Sequence, residues 1–310
     1  MFARAIAAVT AVTAAALAAG CAASSAPQIA VPALTDAIPA QRAWAATCAE
    51  WDGWDKPGPP FRIHGQTYYV GTCGITALLI AGPDGHVLID SGTEKGAEVV
   101  LANIRALGFD PRDVKLLLMS HEHFDHVGGM ARLQAATGAR VIASAPAAPV
   151  LRSGTTAADD PQAAIGHPPF PPVTGAIDVL AGDAPVRLGQ RTFHPISTPG
   201  HTPGALSWHW RECEGGDCRT IVYADSLNPI SGDGWRFSDR PALVAAFRAG
   251  IARVAALDCG ILIAPHPGAA QLRDRAAGTR PLADAGACRA YADSVTQRLD
   301  ARLAKEAAGG

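Results

Sequence analysis

The chain has 310 residues, with 26 basic against 28 acidic side chains, and 48% of its residues are hydrophobic. That is enough for one large globular domain or two small ones. The near-neutral balance, with Lys and Arg scattered along the chain, excludes the electrostatic attraction on which nucleic-acid binding depends.

After "MFAR" comes "AIAAVTAVTAAALAAG", an uncharged run over 5–20. It is too short and Ala-rich to span a membrane comfortably, but it has the size of an export-signal core. Residues 1–20 are therefore expected to be a signal peptide. The run ends at "LAAGCAASSAP", which is similar to a bacterial lipoprotein signal, in which cleavage leaves an N-terminal cysteine to be lipidated. Cys21 is the candidate lipid anchor, although Ala18 stands where leucine is usual. Residues 21–40, rich in Ala, Pro and Ser, read as a disordered tether, and 41–310 as the folded domain. The expected location is the periplasm, with anchoring to the membrane through Cys21.

Six further cysteines remain: Cys48, Cys73, Cys213, Cys218, Cys259 and Cys288. An even number in an oxidising compartment invites disulfides, in any of many connectivities. "CEGGDC" is the easiest to pair, because two glycines permit a tight turn between Cys213 and Cys218. No CxxC pair is present to suggest a sulfur-ligated zinc.

In chain order, "TYYVGT", "ITALLI" and "HVLID" over 67–90 predict an antiparallel meander. A helix follows from about Glu94 to Leu107, then the strand "KLLLM", then a helix from about Val127 to Thr137. "ARVIAS", a short helix to about Leu151 and a proline-rich loop, "GHPPFPPVTG", come next. A second strand-rich section over about 177–224 holds "RTFHPIS", "ALSWHW" and "TIVYA". Two helices, roughly 240–256 and 285–306, flank a last oily strand, "GILIAP". Each half reads as strands followed by helices, and two sheets packed face to face between outer helices accommodate that order.

Titratable side chains gather in "LLLMSHEHFDHVGG", directly beyond a strand. His121, His123 and Asp125 alternate and so share one side of an extended chain, while His126 breaks the row as a helix begins. Ligand sites favour the carboxyl ends of strands. Imidazoles with a carboxylate suit zinc. The zincin motif H-E-x-x-H is absent, because position 125 is Asp and the next histidine falls one residue late. His201 in "STPGHTPGALSW" and His266 in "ILIAPHPGA" sit between Pro and Gly at strand ends, where backbone aim is rigidly set. His64, His86, His194 and His209 lack such settings and read as surface or ordinary packing, and His167 is placed to line a substrate entrance.

"SHEHFDH", "GHTPGA", "YADS" and "PHPG", in that order and spacing, resemble the metallo-β-lactamase superfamily and its subclass B3. The likeness extends through "CAEWDGW", "YYVGTCGITALLI", "HVLIDSGTEKGA", "YADSLNPIS" and "CRAYADSVTQRLDARLAKE". It implies an α/β fold, a four-layer αβ/βα sandwich of two mixed sheets between outer helices. It implies two zinc ions per chain, one held by His121, His123 and His201 and the other by Asp125, His126 and His266. A hydroxide shared by the ions would attack the lactam carbonyl of a β-lactam antibiotic, with Asp125 orienting it and relaying its proton. Ser226 is implied at the substrate carboxylate, with Asn228 where relatives often carry serine or threonine. The implied disulfides are Cys48–Cys73, Cys213–Cys218 and Cys259–Cys288.

Serine routes lack their signatures, since neither G-x-S-x-G nor S-x-x-K occurs. Asp225 in "YADS" leaves a lactonase or thioester hydrolase as the alternative, because a comparable aspartate bridges both metals in other branches of the superfamily. A non-catalytic periplasmic zinc-binding lipoprotein is the alternative of another class. It would need closed metal sites, whereas three protein ligands per ion leave open positions.

Overall fold

The computed structural model of the chain describes residues 1–2 and 37–309. The expected signal from residue 3 on, Cys21 and the tether up to residue 36 lie outside the described residues. Helix α1 (Ala37–Thr47) begins four residues before the expected domain start at 41, and buries Trp44 and Ala45.

The first meander is present: β1 (Phe61–His64), β2 (Thr67–Tyr69), β3 (Leu78–Ile80) and β4 (His86–Ile89) pair antiparallel in sequence. Helix α2 (Gly96–Ala106) then returns the chain so that β5 (Val114–Leu118) lies parallel to β4. After α3 (Phe124–Val127) and α4 (Met130–Thr137), β6 (Arg140–Ala143) extends the parallel half. Helix α5 (Ala147–Ser153) leads to β7 (Ile177–Val179), which closes a seven-stranded mixed sheet in the order β1 to β7.

The second sheet takes β8 (Val186–Leu188), β9 (Arg191–Ser197), β10 (Leu206–Glu214) and β11 (Asp217–Tyr223) as antiparallel neighbours. Beyond α6 (Pro241–Ala255), β12 (Ile261–Ile263) joins β11 in parallel, giving the order β12-β11-β10-β9-β8. Helices α7 (Leu272–Ala277) and α8 (Ala287–Ala307) complete the chain.

Three apolar clusters separate four layers. Between the sheets lie Val87 and Ile89 of β4, Leu116 and Leu118 of β5, Ile221 and Tyr223 of β11, and Ile261 and Ile263 of β12. The intervening residues face outward, each sheet toward its own helices. Leu88 and Leu117 meet Val100, Ile104 and Leu133, while Val222 and Leu262 meet Phe247, Ile251 and Val295. Strands buried on both faces read as continuous oily runs, as these do. The α/β four-layer arrangement is thus the observed one.

Two details differ from expectation. The helix expected from Val127 begins at Phe124 and breaks at Gly128–Gly129. Only glycine fits at the break: a Cβ on Gly128 would stand 2.2 Å from the Phe124 carbonyl oxygen of the preceding turn, and one on Gly129 2.5 Å from the Ala97 Cβ of α2. Strand β7, grouped by sequence with the second strand-rich section, belongs to the first sheet. The three disulfides are Cys48–Cys73, Cys213–Cys218 and Cys259–Cys288. Among the described residues, no helix is long and apolar enough to cross a membrane.

Candidate metal centre

The site forms where β4 and β5 end side by side. Asp90, at φ +62° just past β4, accepts from the Ser120 amide at 2.6 Å, the Ser120 hydroxyl at 2.7 Å and the Tyr223 hydroxyl at 2.7 Å. It thereby fixes the exit of β5 and ties the first sheet to the second. The chain then runs extended through His123 before turning into α3, which presents Asp125 and His126. The amide and hydroxyl of Ser91 both donate to the His126 carbonyl, at 2.9 and 2.8 Å, and hold α3 in place.

His201 arrives from the β9–β10 loop and His266 from the end of β12, so the second sheet supplies both. Glu122, buried between His121 and His123 in sequence, accepts from the Thr202 hydroxyl and the Gly204 amide, each at 2.7 Å. This carboxylate straps the His201 loop to the segment carrying the other imidazoles.

The six residues converge. One ligand atom each from His121, His123 and His201 lie within 4.8 Å of one another, and so do those of His121, Asp125 and His126. His266 adjoins the second group, with Nε2 3.4 Å from Asp125 Oδ2 and its ring 4.9 Å from that of His126.

Ring nitrogens are divided between two tasks. His121 Nδ1 donates to Asp225 Oδ1 at 2.8 Å, His123 Nε2 to Asp160 Oδ2 at 3.1 Å, His201 Nδ1 to the Asn228 carbonyl at 2.9 Å and His266 Nδ1 to the Gly74 carbonyl at 3.3 Å. His126 Nδ1 stands 3.6 Å from Asp90 Oδ2. One nitrogen of each of His121, His123, His201 and His266 is thus oriented by the chain, while His126 only approaches Asp90 and the Gln162 amide lies 3.4 Å from both nitrogens of His201. Partners of this kind set the tautomer and aim of metal-binding histidines.

The residues fit a metal. His121 Nε2 and both nitrogens of His126 are buried with no hydrogen-bond partner, a costly state unless something else satisfies them. Burial, followed by the neighbouring histidines, holds His121 and His201 well below the ordinary imidazole pKa, and burial with the nearby His126 lowers His266 to about 4. Neutral imidazoles offer lone pairs to a cation. Burial opposes charge on His126 and Asp125, but their mutual attraction outweighs it. That attraction, across 3.0 Å between His126 Nε2 and Asp125 Oδ2, raises the pKa of His126 and lowers that of Asp125. A cation bound between the two would take the place of the proton they share.

Asp225 is fully buried and orients His121. Ser226 and Asn228 border a cavity of about 470 Å3 that is also lined by His201, His266, Trp51 and Trp54. The Ser226 hydroxyl is buried and unpartnered. His167 lies with its ring 5.0 Å from that of His123. His64 and His86 are packed in the interior, and His209 lies against His194 on β10 and β9 with ring centroids 4.9 Å apart.

Asp90, Glu122 and Asp160 were not singled out by the sequence as functional. Asp90 had a readable signal, a carboxylate closing the strand "HVLID" before a glycine. Asp160 had none, since it reaches His123 from an irregular stretch 37 residues away.

A family model of the metallo-beta-lactamase superfamily matches residues 70–214. Among solved structures, the MIM-2 metallo-beta-lactamase is 52% identical with a TM-score of 0.82, over 86% of this chain and 98% of that one. MEM-A1, a subclass B3 metallo-beta-lactamase from a soil metagenome library, is 44% identical with a TM-score of 0.79, over 83% of this chain and all of that one (100%). Among curated proteins, the hydroxyacylglutathione hydrolase of Anaeromyxobacter dehalogenans (strain 2CP-C) is 33% identical over 200 residues, 64% of this chain. That alignment spans 62% of the hydrolase, less than two thirds of its length.

Proposed function

The chain belongs to the metallo-beta-lactamase superfamily, with subclass B3 enzymes as its structural relatives, and from that premise we propose that it opens the β-lactam ring of antibiotics as a zinc-dependent hydrolase. The observation that carries the proposal is the convergence of five imidazoles and Asp125 on one buried cluster, four of the imidazoles having one nitrogen held by a chain carboxylate or carbonyl. His121, His123 and His201 would hold one ion, and Asp125, His126 and His266 a second. Bound there, a pair of zinc ions supplies Lewis acidity and an acidified water.

The chain's own residues do the rest. Asp125, kept ionised by His126 and His266, takes the proton of the attacking water and passes it to the departing lactam nitrogen. The free Ser226 hydroxyl and the half-buried Asn228 side chain donate to the substrate carboxylate. Trp51 and Trp54 offer apolar faces to the substituents of the ring and thin the water around it. The Glu122 strap keeps His201 at the distance the cluster needs.

A lactonase or thioester hydrolase is favoured by the curated relative, a hydroxyacylglutathione hydrolase, and would use Asp225 between the metals. The bond from His121 Nδ1 to Asp225 Oδ1 gives that carboxylate a different task. We also infer export to the periplasm, supported by the three disulfides, with Cys21 as a lipid anchor.

Purified mature protein is expected to hydrolyse a chromogenic cephalosporin, to lose that activity to a chelator and to regain it with zinc. Activity that survives complete metal removal refutes the zinc mechanism. Turnover of hydroxyacylglutathione or homoserine lactones without β-lactams moves the assignment to the second reading.

A further inference from the structure

The cavity beside the metal centre is bordered by one side chain that the sequence did not single out. Arg298 of α8 faces it together with Ser226, Asn228, His201 and His266. Its Nη1 donates to the Ser294 hydroxyl at 2.8 Å, and among the described residues no carboxylate comes within ion-pair distance of it. An exposed guanidinium with no carboxylate paired to it therefore borders the cavity. Ser226, which also borders the cavity, is 8% exposed and its hydroxyl has no partner.

These two groups are held in one frame. The Tyr291 hydroxyl donates to the carbonyls of Asp225 and Ser226, at 2.7 and 2.9 Å. Tyr291 and Arg298 are seven residues apart on the same helix, two turns, so they share a face. Thus the helix that grips the Ser226 backbone also sets where the guanidinium starts. Cys288 anchors the beginning of α8 to Cys259. Near its end, Glu306 accepts from the amides of Phe237 and Ser238, at 3.0 and 2.7 Å.

Resting on the β-lactamase reading, we propose that Arg298 is a specificity-determining residue that binds the substrate carboxylate together with the Ser226 hydroxyl. Ser226 and Asn228 are neutral donors and fix direction. Arg298 adds the charge and a planar fork that matches a carboxylate through two parallel hydrogen bonds. The pair selects substrates that carry a free carboxylate over the same molecules with that group esterified. The proton and bond changes at the lactam are untouched, because the guanidinium acts on the ground-state anion.

The test crosses two changes in the zinc-loaded enzyme: Arg298→Ala in the protein, and methyl esterification of the carboxylate in one penicillin or cephalosporin. R298A is expected to raise KM for the free acid about tenfold with kcat little changed, and to leave both constants for the ester as they are. R298K should recover part of the loss, since it restores charge without the fork. Calorimetric affinity for the ring-opened product should fall by a similar factor, with zinc content and melting temperature unchanged. Equal effects of R298A on acid and ester, or none on either, overturn the role of Arg298 while the β-lactamase reading stands. A wild-type enzyme that hydrolyses neither form fails the earlier reading and takes this role down with it.

Discussion

Asp225 is where the two readings of the site part, and replacing it separates them. Its Oδ1 lies 2.8 Å from His121 Nδ1, and both residues are 0% exposed. The amides of Ser226 and Leu227 favour the ionised form of the Asp225 carboxyl against the cost of burial, and a cation held by His121 would favour it further. A buried hydrogen bond involving a charged group contributes about 1.5–3 kcal/mol, which corresponds to roughly 10- to 150-fold in affinity for a cation on the opposite nitrogen. Measured losses for such orienting partners span about 10- to 100-fold. Asp225→Asn keeps an acceptor for Nδ1 and should fall at the low end, while Asp225→Ala leaves the donor bare and should fall at the high end. Zinc titration of the metal-free variants against a chromophoric chelator reads the affinity, and metal content after gel filtration reads the stoichiometry. The expected outcome is weaker binding with the number of bound ions kept. Loss of one ion in D225N would identify Asp225 as a ligand and refute its role as the partner of His121.

Replacing Cys259 and Cys288 together by serine opens a loop of 29 residues' separation. Chain entropy puts the loss near 3.5 kcal/mol. It should appear as a lower urea midpoint with zinc content preserved, and an unchanged midpoint would contradict it. Glu306 gives the acid dependence its sign. Burial works against its charge, but the Ser238 amide, the Arg302 guanidinium and the Phe237 amide overcome this and lower its pKa from 4.5 to about 2. The group therefore contributes stability above about pH 4.5 that is lost as the pH falls toward 2. E306Q should be less stable at pH 7 by about 1–3 kcal/mol, with the gap to wild type closing near pH 2; a gap independent of pH would refute the ionic origin.

What could be read from sequence follows from where each signal is stored. The five histidines stand at strand ends beside Pro, Gly or a helix start, so local chemistry announces them before any tertiary contact is known. The strands were legible for a similar reason, since burial on both faces leaves long oily runs such as "KLLLM" and "GILIAP". The residues that orient the imidazoles were not legible. Asp90 meets His126 only because β5 lies parallel beside β4, and Asp160 meets His123 only because a loop folds back over the site. Helix α7 is a single short element, and Leu272 and Ala276 give too few repeats for a period to show. The Phe124 start of α3 was hidden because four residues, Phe124–Val127, are too few for a helical period to show.

The division of ligands between the sheets makes metal binding a folding event as well as a catalytic one. His121, His123, Asp125 and His126 follow the first sheet, whereas His201 and His266 follow the second. Polar contacts also join the sheets around the cluster, among them the Trp208 indole to the Met119 carbonyl at 2.8 Å, the Leu206 amide to Ser120 at 2.6 Å and the Thr76 hydroxyl to Ala264 at 2.7 Å. Ions held from both sides bind only when these layers are packed, so they stabilise the native state by mass action. Free zinc at a thousandfold its dissociation constant adds about 4 kcal/mol per site. Chelated protein should therefore melt several degrees lower than the loaded form, and mutation of His201 or His266 to alanine should reduce the difference as much as mutation of His121. If stripping the metal left the melting temperature unchanged, the cluster would be preformed by the protein alone, and the unpartnered nitrogens of His121 and His126 would need another explanation.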